Sequence, residues 1–219
     1  RVIFSVFIKD IKIFFRDTGQ WSQLLLLLAL VIVYLFNIYK LPLDTFFLKS
    51  LISFLNIGLA GFVLAAVSLR FIYPLVSLEG KSFWLIKAAP LTVKNFLWEK
   101  FFMAIIPLVF FGCLLIGVSN YMLKVEKFLS FLSFATIIFI SITLTGMAVG
   151  FGALFPKFKV ENISQIESSV GGMIYMIFSL FYVFLTVSLL AVPVRLWFLS
   201  RLYNKNIMYP GIITLVVIS

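Results

Sequence analysis

Phe101–Leu123 reads FFMAIIPLVFFGCLLIGVSNYML, an unbroken apolar run without Asp, Glu, Lys or Arg. About 20 such residues suffice for a helix to cross the roughly 30 Å hydrocarbon core of a bilayer. In lipid every backbone donor and acceptor must be paired inside its own segment, so a run of this length is expected to be helical. Working outward, further runs of this kind occur at 21–39, 50–69, 128–155 and 171–194, and a sixth begins near 207 and reaches the last residue, Ser219. The runs are continuous and do not alternate polar with apolar, which disfavours a transmembrane barrel.

Composition agrees. The 219 residues are 63% hydrophobic and 12% charged, whereas soluble domains carry about 25% charge. Such a chain has too little polar side chain to cover a water-facing surface. Cys113 is the single cysteine, which excludes a disulfide scaffold and a thiolate metal cluster. Within its apolar run, Cys113 reads as a small buried hydrophobe. The expected fold is all-α: a polytopic transmembrane bundle of about six spans. The first residue is Arg1 rather than methionine, and the last run is cut short. The chain therefore reads as a piece of a longer polypeptide.

The net charge of +10 does not point to nucleic acid. All 18 basic residues lie away from the span centres, where anionic lipid headgroups and the positive-inside bias account for them. Alternate sides of the membrane receive 11 and 7 basic residues, with the N-terminal stretch on the richer, cytoplasmic side. The last connector, with Arg195, Arg201 and Lys205, runs against this bias. Asn162-Ile163-Ser164 matches a glycosylation acceptor but falls on the cytoplasmic side, so it is read as chance.

Two segments are not spans. Over residues 1–17, Ile3, Phe4, Phe7, Ile8, Ile11, Phe14 and Phe15 share one helical face, and Lys9, Lys12 and Arg16 another. This is the pattern of an in-plane amphipathic helix, either a lever into the first span or a passive anchor. Leu78–Pro90, LEGKSFWLIKAAP, predicts a short cytoplasmic helix ended by Pro90. Glu79, Lys81 and Lys87 are expected to face a soluble partner while Trp84 holds the membrane edge. The plainer reading is a solvated surface turn.

The spans lack chemistry. There is no histidine, no GxxxxGK[ST] and no HExxH. No catalytic, cofactor-binding or metal-ligating residue is assigned, and the chain is not read as an enzyme. None of the five apolar runs carries an ionisable Asp, Glu, Lys or Arg in its interior, whereas ion-coupled transporters usually place such residues there. Any driving energy must then come from outside this segment, or transport is passive. Small residues cluster at Gly58 and Gly61, and at Gly146, Gly150 and Gly152. Close helix packing is the default expectation, including disruption by Gly150→Leu, and lining of a path is the alternative. Pro107 and Pro193 are candidate kinks, and Gly171-Gly172 a turn or close approach.

Three stretches carry a resemblance: FFRDTGQWSQ (14–23), RFIYPLVSLEGKSFWLIKAAPLTVKNFLWEKF (70–101) and FGALFPKFKVENISQIESSVGGMIYM (151–176). Together they resemble the ABC-2-type exporter permeases of bacteria, in particular the C-terminal half of the longer members. The resemblance implies a multi-pass permease of the bacterial inner membrane that has no nucleotide site of its own and works with a separate ATP-binding subunit. It implies an in-plane helix before the first span and a coupling helix at 79–89 that docks on the ATPase, so Glu79, Lys81, Trp84 and Lys87 become docking residues. The 155–172 stretch would be the cytoplasmic connector of spans four and five. It further implies a missing N-terminal half or a second permease unit as partner, besides membrane lipids. A passive channel or secondary transporter, and a scaffold that moves nothing, remain alternatives.

Overall fold

The computed structural model describes residues 29, 31–36, 46–82, 92–158 and 163–203. The in-plane helix expected at 1–17, Trp84, Lys87 and the rest of 83–91, Asn162, and the sixth span at 207–219 lie outside the described residues. The elements are α1 (Phe46–Phe71), α2 (Leu75–Leu78), a 3₁₀ turn (Glu79–Ser82), α3 (Val93–Leu123), α4 (Lys127–Leu154), α5 (Ile163–Glu167) and α6 (Val170–Tyr203). Residues 31–36 are also helical. Among the described residues four helices are long and apolar enough to cross a membrane: α1, α3, α4 and α6. The chain is an all-α, polytopic helical bundle.

The helices outrun the apolar segments. α3 has 31 residues and starts at Val93, eight residues before the expected boundary at Phe101. At 1.5 Å per residue it is about 46 Å long, against roughly 30 Å of hydrocarbon. Its first turns therefore extend past the apolar core and bring Lys94, Glu99 and Lys100 inside the helix. α6 likewise continues beyond Val194 to Tyr203, so Arg195 and Arg201 are helical and not connector residues. Pro107 and Pro193 lie within α3 and α6, where each removes one backbone hydrogen bond.

Local chemistry sets the ends. Thr92 is extended and its hydroxyl accepts from the Asn95 N–H, capping α3. α3 stops at Lys124, the one non-glycine residue at positive φ among those described (φ 48°). There the Lys124 N–H donates to Tyr121 O and the Val125 N–H to Asn120 O, closing the orphan carbonyls. α4 begins three residues after Lys124, so α3 and α4 are antiparallel neighbours. At the other end Pro74 interrupts the chain after α1 and turns it into α2. Ser169 caps α6, its Oγ accepting from the Gly172 N–H.

The core runs between α1, α3, α4 and α6 and contains Leu64, Tyr73, Ile116, Ile137, Ile140, Leu144, Tyr175 and Val183. The outer faces carry exposed Phe102, Ile106, Phe110, Phe139, Phe181 and Phe184, as lipid contact requires. Polar side chains join helices at a few points. Tyr34 donates to Asn56 Oδ1, Asn56 Nδ2 donates to Ser119 Oγ (2.8 Å), and Ser119 donates to the Leu115 carbonyl, linking three helices in one relay. Asn120 Nδ2 donates to Ser133 Oγ at 2.8 Å across α3 and α4, and Tyr182 donates to Thr143 across α6 and α4.

The small residues divide into two groups. A Cβ on Gly58 would meet Val187, and one on Gly61 would come within 2.8 Å of Val183, so both lie where α1 approaches α6. A Cβ on Gly152 would lie 2.6 Å from the Tyr73 carbonyl oxygen, a backbone atom that cannot swing aside. Gly146 and Gly150 are exposed; a Cβ on Gly146 would make only an ordinary 3.8 Å contact with the Phe101 ring, and one on Gly150 would meet nothing within 4 Å. The packing expected of Gly146-x-x-x-Gly150 is therefore not made among the described residues. The reason is register: Ala148, Val149 and Gly152 take the inner face of α4, which turns 146 and 150 outward.

These contacts predict opposite outcomes for neighbouring glycines. Gly152→Ala forces the corner at Tyr73 away from α4 and should lower stability by about 1–3 kcal/mol, the usual cost of overpacking. Gly150→Ala should leave the melting temperature in detergent unchanged or slightly raised, because alanine is the better helix former by roughly 0.5–1 kcal/mol. Thermal unfolding of the two variants checks both, and equal destabilisation would contradict this packing.

Candidate functional site

The short elements gather at one end of the bundle, where α1 ends and α3 and α6 begin. Two connectors meet there: the 72–82 corner and the described residues of the next one, 155–158 and 163–169. Their contact is at backbone distance. A Cβ on Gly80 would sit 2.9 Å from the Phe158 Cα, and the Lys157 N–H donates to Ser77 Oγ at 3.1 Å. Tyr73 is fully buried, stacks on Tyr175 with centroids 5.9 Å apart, and shares a 3.2 Å hydrogen bond with Ser169. Gly171 is where α6 passes Tyr73 and Phe155, with no room for a side chain.

Charge is concentrated in the same layer. Lys100 is 1% exposed, and its Nζ donates to Glu79 Oε1 at 2.9 Å. Glu99 Oε2 lies 3.8 Å from the same ammonium, and the Phe96 ring centroid 5.4 Å from it. Glu79 and Glu99 are both buried. Glu79 thus turns inward, whereas the sequence reading had it facing a soluble partner. The cause is the early start of α3, which brings a buried cation to the corner. Lys81 lies in the 3₁₀ turn beside it.

Hydropathy alone places Lys100 in a connector and singles out neither Lys100 nor Glu99. A signal existed. Phe96, Lys100, Ala104, Leu108, Gly112, Ile116 and Asn120 follow at steps of four and are all buried. Carrying the stripe one step upstream of Ala104 puts Lys100 on the inner face, and a second step reaches Phe96.

A second ion pair borders the layer. Arg70 Nε lies 3.7 Å from Glu167 Oε2, joining the end of α1 to α5. Burial pushes the Glu167 carboxyl above its usual range, and Arg70 offsets only part of that. Among the described residues no three His, Cys, Asp or Glu side chains come together as a metal site.

The direction of the Glu167 shift fixes a pH dependence. A carboxyl whose pKa is raised in the fold favours the folded state when protonated, and that contribution is lost as pH rises through the raised value. Wild type and Glu167→Gln should therefore melt at similar temperatures near pH 4, about the ordinary glutamate range. The variant should become the more stable of the two toward neutral pH. A difference that stays constant across that range would contradict the assignment.

A family model described as "Putative ATP-binding cassette" matches residues 3–217, nearly the whole chain. Comparison with curated proteins and with solved structures returned no match. The description names a nucleotide-binding machine, yet the described part of the match holds four helices long and apolar enough to cross a membrane, and the sequence holds no GxxxxGK[ST] loop. The chain is a multi-pass membrane protein that belongs to this ABC-2-type, permease-like family.

Proposed function

We propose that this chain is the membrane-spanning permease part of an ATP-driven exporter in a bacterial inner membrane, moved by a separate ATP-binding subunit. The observation that carries the reading is the layer at one end of the bundle. There the 72–82 corner and the 155–169 connector grip each other through Gly80, Ser77 and Tyr73. The same layer holds the first turns of α3 through Lys100 and the start of α6 through Ser169. A force applied to this layer reaches α1, α3, α4 and α6 together. That is what a subunit without its own energy source needs, and family membership supports an ATPase as that source.

In this reading the layer is cytoplasmic, in keeping with the basic residues of the 70–100 stretch. Lys81, Trp84 and Lys87 supply the docking contacts, while Glu79 is tied inward to Lys100. ATP binding and hydrolysis in the partner bias two packings of the bundle. No bond is made or broken in this chain. The small-residue contacts at Gly58, Gly61 and Gly152 are where helices can shift against each other.

The test is co-purification of the full-length protein from its native membrane under mild detergent, followed by reconstitution in vesicles. A stoichiometric ATP-binding subunit and ATP-dependent solute movement are expected. Movement without ATP would replace this reading by a passive channel. Lys81→Glu with Lys87→Glu should weaken partner binding about tenfold, the equivalent of about 1.4 kcal/mol, with the melting temperature unchanged. Undiminished binding would remove these residues from the docking surface.

A further inference from the structure

We infer that Lys100 is a latch whose ammonium passes between Glu79 and Glu99, so that the 79–82 turn can separate from α3 and return. The inference rests on the exporter reading for its purpose, but its geometry stands by itself. The three charged groups belong to two elements. Glu79 opens the 3₁₀ turn, and Glu99 and Lys100 are neighbours on α3. The ammonium is closer to the carboxylate across the gap, at 2.9 Å, than to the one on its own helix, at 3.8 Å. All three side chains are buried.

The arrangement differs from a simple buried pair. Pulling two isolated buried charges apart leaves both uncompensated, which is strongly unfavourable, so a simple pair resists separation. Here a second carboxylate travels with the cation. When the turn carries Glu79 away, Lys100 keeps a counter-charge on its own helix. Glu79 leaves with its own turn, which carries Lys81 two residues further on. Separation becomes a change of partner. The Phe96 ring stays with the cation throughout, since it is on the same helix. Lys100 is thus a positioning residue: it sets whether a displacement of the 79–82 turn moves α3 with it.

The experiment uses the full-length protein with Cys113→Ser and spin labels at Leu78→Cys and Val93→Cys, both exposed positions that flank the gap. Glu79→Gln is the main variant, because Lys100 keeps Glu99 and the protein should remain folded and monodisperse. The distance distribution is expected to be narrow with the native pair and roughly twofold broader in Glu79→Gln, as the turn samples both positions. It should narrow again in the double variant Glu79→Lys with Lys100→Glu, which restores the pair with its charges exchanged. With the ATP-binding subunit present, transport per ATP should fall about tenfold in Glu79→Gln and recover in the exchange. An unchanged distribution in Glu79→Gln overturns the latch whatever the transport result. Broadening and recovery in a protein that shows no ATP-dependent transport supports the latch and overturns the exporter reading instead.

Discussion

The absence of water from the bilayer core is the constraint on which the rest depends. A peptide group there has no solvent partner, so the chain closes its hydrogen bonds within each helix over the whole crossing. Among the described residues four helices of 26 to 34 residues follow. Each exceeds what the hydrocarbon demands, and the surplus turns lie at the ends. Among the described residues irregular backbone is confined to those ends as well. Pro74 turns the chain after α1, Lys124 takes the left-handed conformation after α3, and Ser169 caps α6. The corner that gathers charge exists because the middle of the bundle cannot hold it.

Lipid removes the usual reason for helices to associate, since a leucine is as well solvated by acyl chains as by another helix. Close approach and cross-helix hydrogen bonds have to hold the bundle. Most hydroxyls in the spans contribute little to this. Thr136, Ser141, Thr145 and Thr186 donate back to the carbonyl four residues earlier on their own helices. Apart from Ser68, whose hydroxyl donates to the Leu144 carbonyl, the bonds that join helices in the spans come from the longer groups: Tyr34, Asn56, Asn120 and Tyr182. Each is worth about 0.6 kcal/mol on average in membrane proteins. They therefore fix register more than they add strength, and steric contacts such as Gly61 on Val183 set how near the helices come.

Much of this fold was legible in the sequence, because the span signal is compositional and long. The run at 128–155 is α4 to within one residue at each end. What composition cannot locate is where a helix continues past the apolar stretch. Hydropathy ended the third span at Phe101, so Lys100 was counted with the loop, although the period-four stripe continues upstream to Phe96. The same limit applied to Arg195 in α6. Glycine spacing was informative about backbone approach but not about its direction. Gly146-x-x-x-Gly150 has the spacing of a packing motif, yet it points outward, and Gly152, two residues on, makes the tight contact. Only the burial of Ala148 and Val149 fixes that register, and the surrounding residues are apolar on every side. Glu79 could not be placed without Lys100, since each is buried by virtue of the other.

A buried ion pair needs a reason, because it is seldom the most stable occupant of its site. Exchange of such a pair for packed apolar residues is often neutral or stabilising, whereas loss of one partner costs about 3–5 kcal/mol. Methionine and leucine at 100 and 79 would suit a bundle that only had to stand. Carboxylate and ammonium differ from them in one respect: they are specific about partner and nearly indifferent to small changes of angle. An apolar contact between the corner and α3 would slide, and a backbone contact like that of Gly152 with Tyr73 would jam. The Lys100–Glu79 pair can hold two elements together and still let go where another charge is at hand. The bundle accordingly uses close backbone packing where its connectors must act as one body. It uses a charge pair at the joint between that body and α3.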